Sequence, residues 1–190
     1  MGNRSEEKFS QQSGLKMKAI ILFSLIILTG VPLMAQDSTK TMKDTIVTDV
    51  LSQEPMLLGY TNRKAFQDTS FSWWFNSVYD TYNVDTATAQ NLADKLKDVN
   101  ITIVMGTWCS DSRREVPRFF KILDKIKYPS SEVTIITVGR DRKGRGEETK
   151  GMDIELVPTF IFYKDGKELG RIVESPKVSL EKDMEKILSN

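Results

Sequence analysis

The stretch "MGTWCSDSRREVP" (Met105–Pro117) holds the residues of this 190-residue chain whose types and spacing suit chemistry. Cys109 is the only cysteine; it follows Trp108, and Ser112 stands three places on, where a second thiol would complete a pair. A thiolate is a nucleophile toward disulfides and peroxides and a ligand for metals. The chain has no histidine. That removes Ser-His-Asp and Cys-His catalysis and, with one cysteine, argues against a zinc site. No metal and no cofactor are expected.

Two elements must position the thiol. "ITIVMG" (Ile101–Gly106) is a β-branched run suited to a buried strand. "SRREVPRFFKILDKI" follows as a helix, with Val116, Phe119, Phe120, Leu123 and Ile126 on one apolar face and Pro117 inside it as a kink. At the junction, the free amides and dipole of a helix N-terminus favour a thiolate. Arg113 and Arg114 are expected to add positive charge there and Asp111 to oppose it. A residue at the carboxyl edge of a sheet is accessible, which sets a reactive Cys109 against a buried, inert one. Ser112 has two readings. Its hydroxyl donates to the Cys109 sulfur, or it caps the helix in a capping box, "SRRE", with Glu115 reaching back.

The rest of the chain bounds the partners. Lys and Arg number 27 and Asp and Glu 26, with no basic face, so no nucleic acid is expected. Lys16 and Lys18 precede the apolar run Ala19–Gly30, and the small residue Ala35 follows. Residues 1–35 therefore read as a secretory signal, with Met17 as a second candidate start, and the expected destination is the periplasm or cell envelope. The run is short for a span of about 20 residues, so a membrane attachment requires the signal to stay uncleaved. In an oxidising compartment a lone cysteine is either buried or kept free for chemistry.

Residues 36–54 are polar and aperiodic and read as a flexible tether. Residues 55–98 hold "FSWWFNSVYDTYNVD" and read as an N-terminal cap. Its rings either bury against the main domain or form an aromatic wall beside a ligand. A helix is predicted over Thr86–Lys97 with Asp85 as its cap. Val133–Gly139 is a second strand, Arg140–Gly151 a charged solvated loop with substrate contact as its lesser reading, and Asp165-Gly166 the turn of a hairpin. "SLEKDMEKIL" closes the chain as a helix. Two early strands joined through a helix should be parallel, the hairpin antiparallel, and helices should cover both faces of a mixed sheet.

That order, with "WCSDS" (Trp108–Ser112) at the first strand–helix junction, resembles the thioredoxin fold. Pro117 falls eight residues after Cys109, like the family's helix-kinking proline, and "VPTFIFYKDGKELGR" looks like its cis-proline segment and final hairpin. The resemblance implies an α/β domain over 99–190, a thioredoxin-like fold whose small mixed sheet is flanked by helices, with the helical and aromatic cap before it. It implies Cys109 as nucleophile and Ser112 in the resolving position. Trp108, Asp111, Val157 and Pro158 become substrate contacts, with Pro158 cis and the Val157 backbone taking a peptide as an added strand. The family's buried acid would fall at Ile103, so it is missing.

A hydroxyl cannot resolve a mixed disulfide. The expected function is thus monothiol exchange with a disulfide- or thiol-containing protein or a glutathione-like small thiol. The rivals are a redox-inactive binding module for an envelope client and a one-cysteine peroxidase. For the latter, Thr107 lies two residues before Cys109, where the peroxiredoxin pattern has it three before.

Overall fold

The computed structural model describes residues 44–189, so the expected signal and the first part of the expected tether, residues 36–43, lie outside the described residues. The chain enters through a hairpin, β1 (Ile46–Thr48) and β2 (Pro55–Leu57), in register Ile46 to Leu57. The region read as a tether therefore contains a strand. β3 (Gly59–Thr61) then runs antiparallel to β5 (Val133–Thr137) at the edge of the main sheet. β4 (Val99–Met105) lies parallel to β5, and β6 (Thr159–Lys164) and β7 (Lys167–Val173) follow antiparallel, giving the order β3-β5-β4-β6-β7. The parallel pair and the hairpin are as expected. The three-residue strands β1 to β3 carry no readable period, and pairing with a neighbouring strand makes them strands.

Four helices complete the fold: α1 (Thr69–Thr81), α2 (Thr86–Lys95), α3 (Ser110–Lys125) and α4 (Leu180–Ile187). Side-chain caps set three of their starts. Asp68 accepts the Ser70 amide at 2.8 Å, Asp85 the Thr88 amide at 3.1 Å, and Ser179 the Lys182 amide at 3.2 Å. α3 begins without a side-chain cap, at Cys109.

Strand alternation divides the sheet's two faces. Ile101, Ile103 and Met105 of β4, with Phe160 and Phe162 of β6, form one core with the buried residues of all four helices. The opposite face, Val104, Ile136 and Val138, is covered by Val157, Met152, Ile154, Trp108 and Tyr60. Helices were expected on both faces. They occupy one, because residues 138–158 stay irregular, in keeping with the glycine and charge content of that segment.

Most of the dense aromatics of the N-terminal region are core, with Trp73 the exposed exception. Phe66, Phe71, Trp74 and Phe75 are buried, Phe66 stacks on Phe75 at 5.1 Å between centroids, and Phe75 meets Phe120 of α3 at 6.1 Å. Polar links run the same way. Arg63 forks onto Asp124 with two bonds of 2.7 Å, and the Tyr82 hydroxyl reaches buried Glu181 of α4 at 3.0 Å. Burial and the Glu181 charge push the Tyr82 phenol well above its ordinary range. The segment before β4 thus shares the core of the domain and supplies its edge strand.

Candidate active site

β4 delivers the site. Met105, its last residue, pairs with Thr137, and the chain leaves the sheet at Gly106. The Gly106 carbonyl accepts the Cys109 amide at 2.9 Å, and the Gly106 amide donates to Ser112 Oγ at 3.2 Å. The turn into α3 is therefore closed from both sides of one residue. That residue must be glycine for packing reasons, since a Cβ there would lie 2.6 Å from the Trp108 ring. Trp108 folds back across the turn and donates Nε1–H to the Val138 carbonyl at 2.9 Å.

Cys109 has extended backbone at the N-cap of α3, and its carbonyl accepts the Arg113 amide at 3.0 Å. The side chain is partly exposed. Sγ donates to the Val157 carbonyl at 3.2 Å, and the Val157–Pro158 peptide is cis. Residues 48 apart in sequence are thereby joined, and Trp108, Cys109, Val157 and Pro158 meet at one edge of the sheet.

Ser112 takes neither expected role. It is fully buried inside α3, and its hydroxyl oxygen accepts the Gly106 amide. The cap lies at Cys109 instead, because the first turn of α3 begins at Ser110. Glu115 makes no capping box. It is buried and takes Arg114 Nε at 2.6 Å and Arg118 Nη1 at 3.3 Å.

The expected charges around the thiol are also redistributed. Arg114 pairs with Asp111 at 2.7 Å and reaches Ser175 at 2.8 Å. Arg113 donates Nε–H to the Thr107 carbonyl at 2.5 Å and lays its guanidinium 5.9 Å from the Trp73 and Trp74 rings. Asp111 thus sits in an ion pair at the rim. Thr107, the residue behind the peroxidase reading, is buried, and its hydroxyl oxygen accepts the Leu57 amide of β2 at 3.1 Å.

Arg140 and Asp49 escaped the sequence reading. Arg140 follows β5 and places its guanidinium 4.9 Å from the centroid of the Trp108 ring. Asp49, buried in the β1–β2 turn, accepts Arg140 Nε at 3.0 and 2.9 Å and Nη2 at 2.6 Å. Those bonds hold the Asp49 carboxyl well below the usual carboxylate range and raise the guanidinium in turn. The signal for Arg140 was its place as the first charge after a strand ending at the same sheet edge. Asp49 had none. The loop read as merely solvated is pinned at its start by this pair and farther on by Arg145, which donates to Thr45 Oγ1 at 3.0 Å. Among the described residues no cluster of His, Cys, Asp or Glu is placed to hold a metal ion.

A family model described as thioredoxin matches residues 67–186. A thioredoxin-like protein of Acanthamoeba polyphaga mimivirus is 31% identical over 110 residues, 57% of this chain and 76% of that protein. An H-type thioredoxin of Picea mariana is 34% identical over 77 residues, 40% of this chain and 57% of its own. Among solved structures, mitochondrial thioredoxin 3 of Saccharomyces cerevisiae in its oxidised form aligns at 24% identity with a TM-score of 0.35, covering 57% of this chain and 98% of that one.

Proposed function

The chain belongs to the thioredoxin family, and from that premise we propose that it is an exported monothiol exchange protein acting through Cys109. A redox or thiol–disulfide role toward protein thiols follows from the family in general terms. The narrower reading rests on one observation: the sole thiol of the chain lies 3.2 Å from the Val157 carbonyl, beside the cis peptide, with a buried serine in the resolving position.

The chemistry is one exchange. The Cys109 proton passes to solvent, and the thiolate attacks one sulfur of a partner disulfide. A bond forms between Cys109 and that sulfur, the partner's S–S bond breaks, and its second sulfur leaves as a thiolate. Ser112 has no sulfur to repeat the attack, so an outside thiolate must release the partner. Such a site suits isomerisation, deglutathionylation or capture of a client, with a glutathione-like thiol as one candidate for the release. Trp108, Asp111, Val157 and Pro158 frame the approach, and the Val157 backbone offers a peptide an edge to pair with.

Incubation of the protein with oxidised glutathione or a disulfide peptide, followed by intact mass, tests the reading. The expected product is one adduct, reversed by added thiol and absent from Cys109→Ala. A wild-type protein that stays unmodified overturns it. Export is part of the proposal and is supported by Lys16, Lys18, the apolar run and Ala35. The mass of the protein recovered from its native compartment, expected to begin at Gln36, checks it.

A further inference from the structure

Arg140 is built into the site in a way that its bonds to Asp49 do not exhaust. One edge of the guanidinium, Nε and Nη2, is forked onto the Asp49 carboxylate. One face is held against the Trp108 ring. Nη1 carries no hydrogen bond among the described residues, and the side chain is 37% exposed. The turn that follows brings two more exposed cations, Arg142 and Lys143, and is closed by the Gly139 amide on the Lys143 carbonyl at 2.9 Å. Its single acid, Asp141, accepts the Lys143 amide at 3.1 Å. On the other side of Cys109, Arg114 and Asp111 answer each other. The donor left open beside Trp108 and Cys109 is therefore cationic, planar and fixed in direction.

Building on the exchange role of Cys109, we propose that Arg140 receives a carboxylate of the exchange partner on Nη1, so that Cys109 reacts preferentially with disulfides bearing a negative charge near the sulfur. A guanidinium matches a carboxylate in both charge and donor geometry. Asp49 is the positioning residue: it holds the long side chain in one rotamer on the ring, so less freedom is lost when the partner binds. The exchange step is unchanged, with the partner's S–S bond broken and its distal sulfur leaving as a thiolate. A small acidic disulfide and an acidic peptide disulfide share this chemistry.

Two aryl disulfides of opposite character read the preference: dithiobis-nitrobenzoate, anionic beside the sulfur, and dithiodipyridine, neutral. In the full chain the ratio of their rates with Cys109 is expected to fall roughly tenfold in Arg140→Met and to be partly kept in Arg140→Lys. An unchanged ratio in Arg140→Met overturns the inference. Salt supplies a second measurement on the wild-type protein. Raising ionic strength to about 1 M shortens screening to about 3 Å and should lower the ratio, and a salt-independent ratio counts against the proposal. Peptide disulfides with Glu or Gln beside the cysteine form the second arm. A Glu preference that Arg140→Met abolishes identifies acidic peptides as partners, whereas a ratio moving only with the aryl pair identifies small anions. Wild-type protein inert to both aryl disulfides would remove the exchange reading itself, whereas reactivity without charge preference removes only the role of Arg140.

Discussion

The Leu57 amide donates to the Thr107 hydroxyl oxygen at 3.1 Å, across 50 residues of sequence, and joins the N-terminal hairpin to the turn that carries Cys109. Both groups are buried. The site is therefore braced from the N-terminal side by two independent links, this bond and the Asp49–Arg140 fork.

The first prediction concerns that bond. Thr107→Val keeps the shape and removes the acceptor, leaving a buried amide unsatisfied at a cost of about 1–3 kcal/mol. Thr107→Ser should recover much of it. Urea midpoints of the two variants check the order.

A methyl group at Gly106 collides with the Trp108 ring, whose Nε1–H is committed to Val138. Gly106→Ala should cost about 1–3 kcal/mol and swing the indole off the turn. A denaturation curve gives the first, and the change in Cys109 alkylation rate reports the second.

Phe75 stacks on Phe66 and touches Phe120 of α3. Phe75→Ala should lower global stability by about 3–5 kcal/mol, within a single cooperative transition. A separately melting N-terminal portion, seen by calorimetry, would contradict a shared core.

Asp49 gives the acid limb of stability a definite sign. Its folded carboxyl lies below the usual value because Arg140 hydrogen-bonds the ionised form. A depressed folded value means the stabilisation is present above the unfolded value of about 3.9 and is lost as pH falls further toward the folded one. Asp49→Asn should destabilise the protein at neutral pH and flatten the loss of stability below about pH 4. Thermal midpoints of the two proteins between pH 7 and about pH 2 measure it.

Ser112→Cys places a second thiol one helical turn after Cys109, a spacing within the Cα range a disulfide accepts. Mild oxidation should then remove two hydrogens by mass and yield a dithiol able to release its own mixed disulfide. The exchange partner should leave the variant without added thiol, whereas it stays on the wild-type protein.

Much of the thioredoxin-like domain was legible because its signals are local. Ile101–Gly106 reads as a strand from β-branched residues, Asp85 and Asp165-Gly166 mark a cap and a turn, and Trp108-Cys109 with Pro117 and Pro158 carries the family pattern. The identity of the thiol and the lack of a second one needed no structure, since the chain has one cysteine.

What only the tertiary structure decided depends on distance in sequence. Gly59–Thr61 has no pattern of its own and becomes a strand because β5 has an open edge. Ser112 looks like a cap by spacing, yet the helix starts a turn earlier and the Gly106 amide takes its hydroxyl. Arg113 and Arg114 are nearest to the thiol in sequence but turn to Thr107, Asp111 and Glu115. Arg140, 31 residues on, lies against Trp108 because parallel strands β4 and β5 end at the same edge of the sheet. Side-chain direction and long-range pairing are set by packing, which a local pattern does not encode.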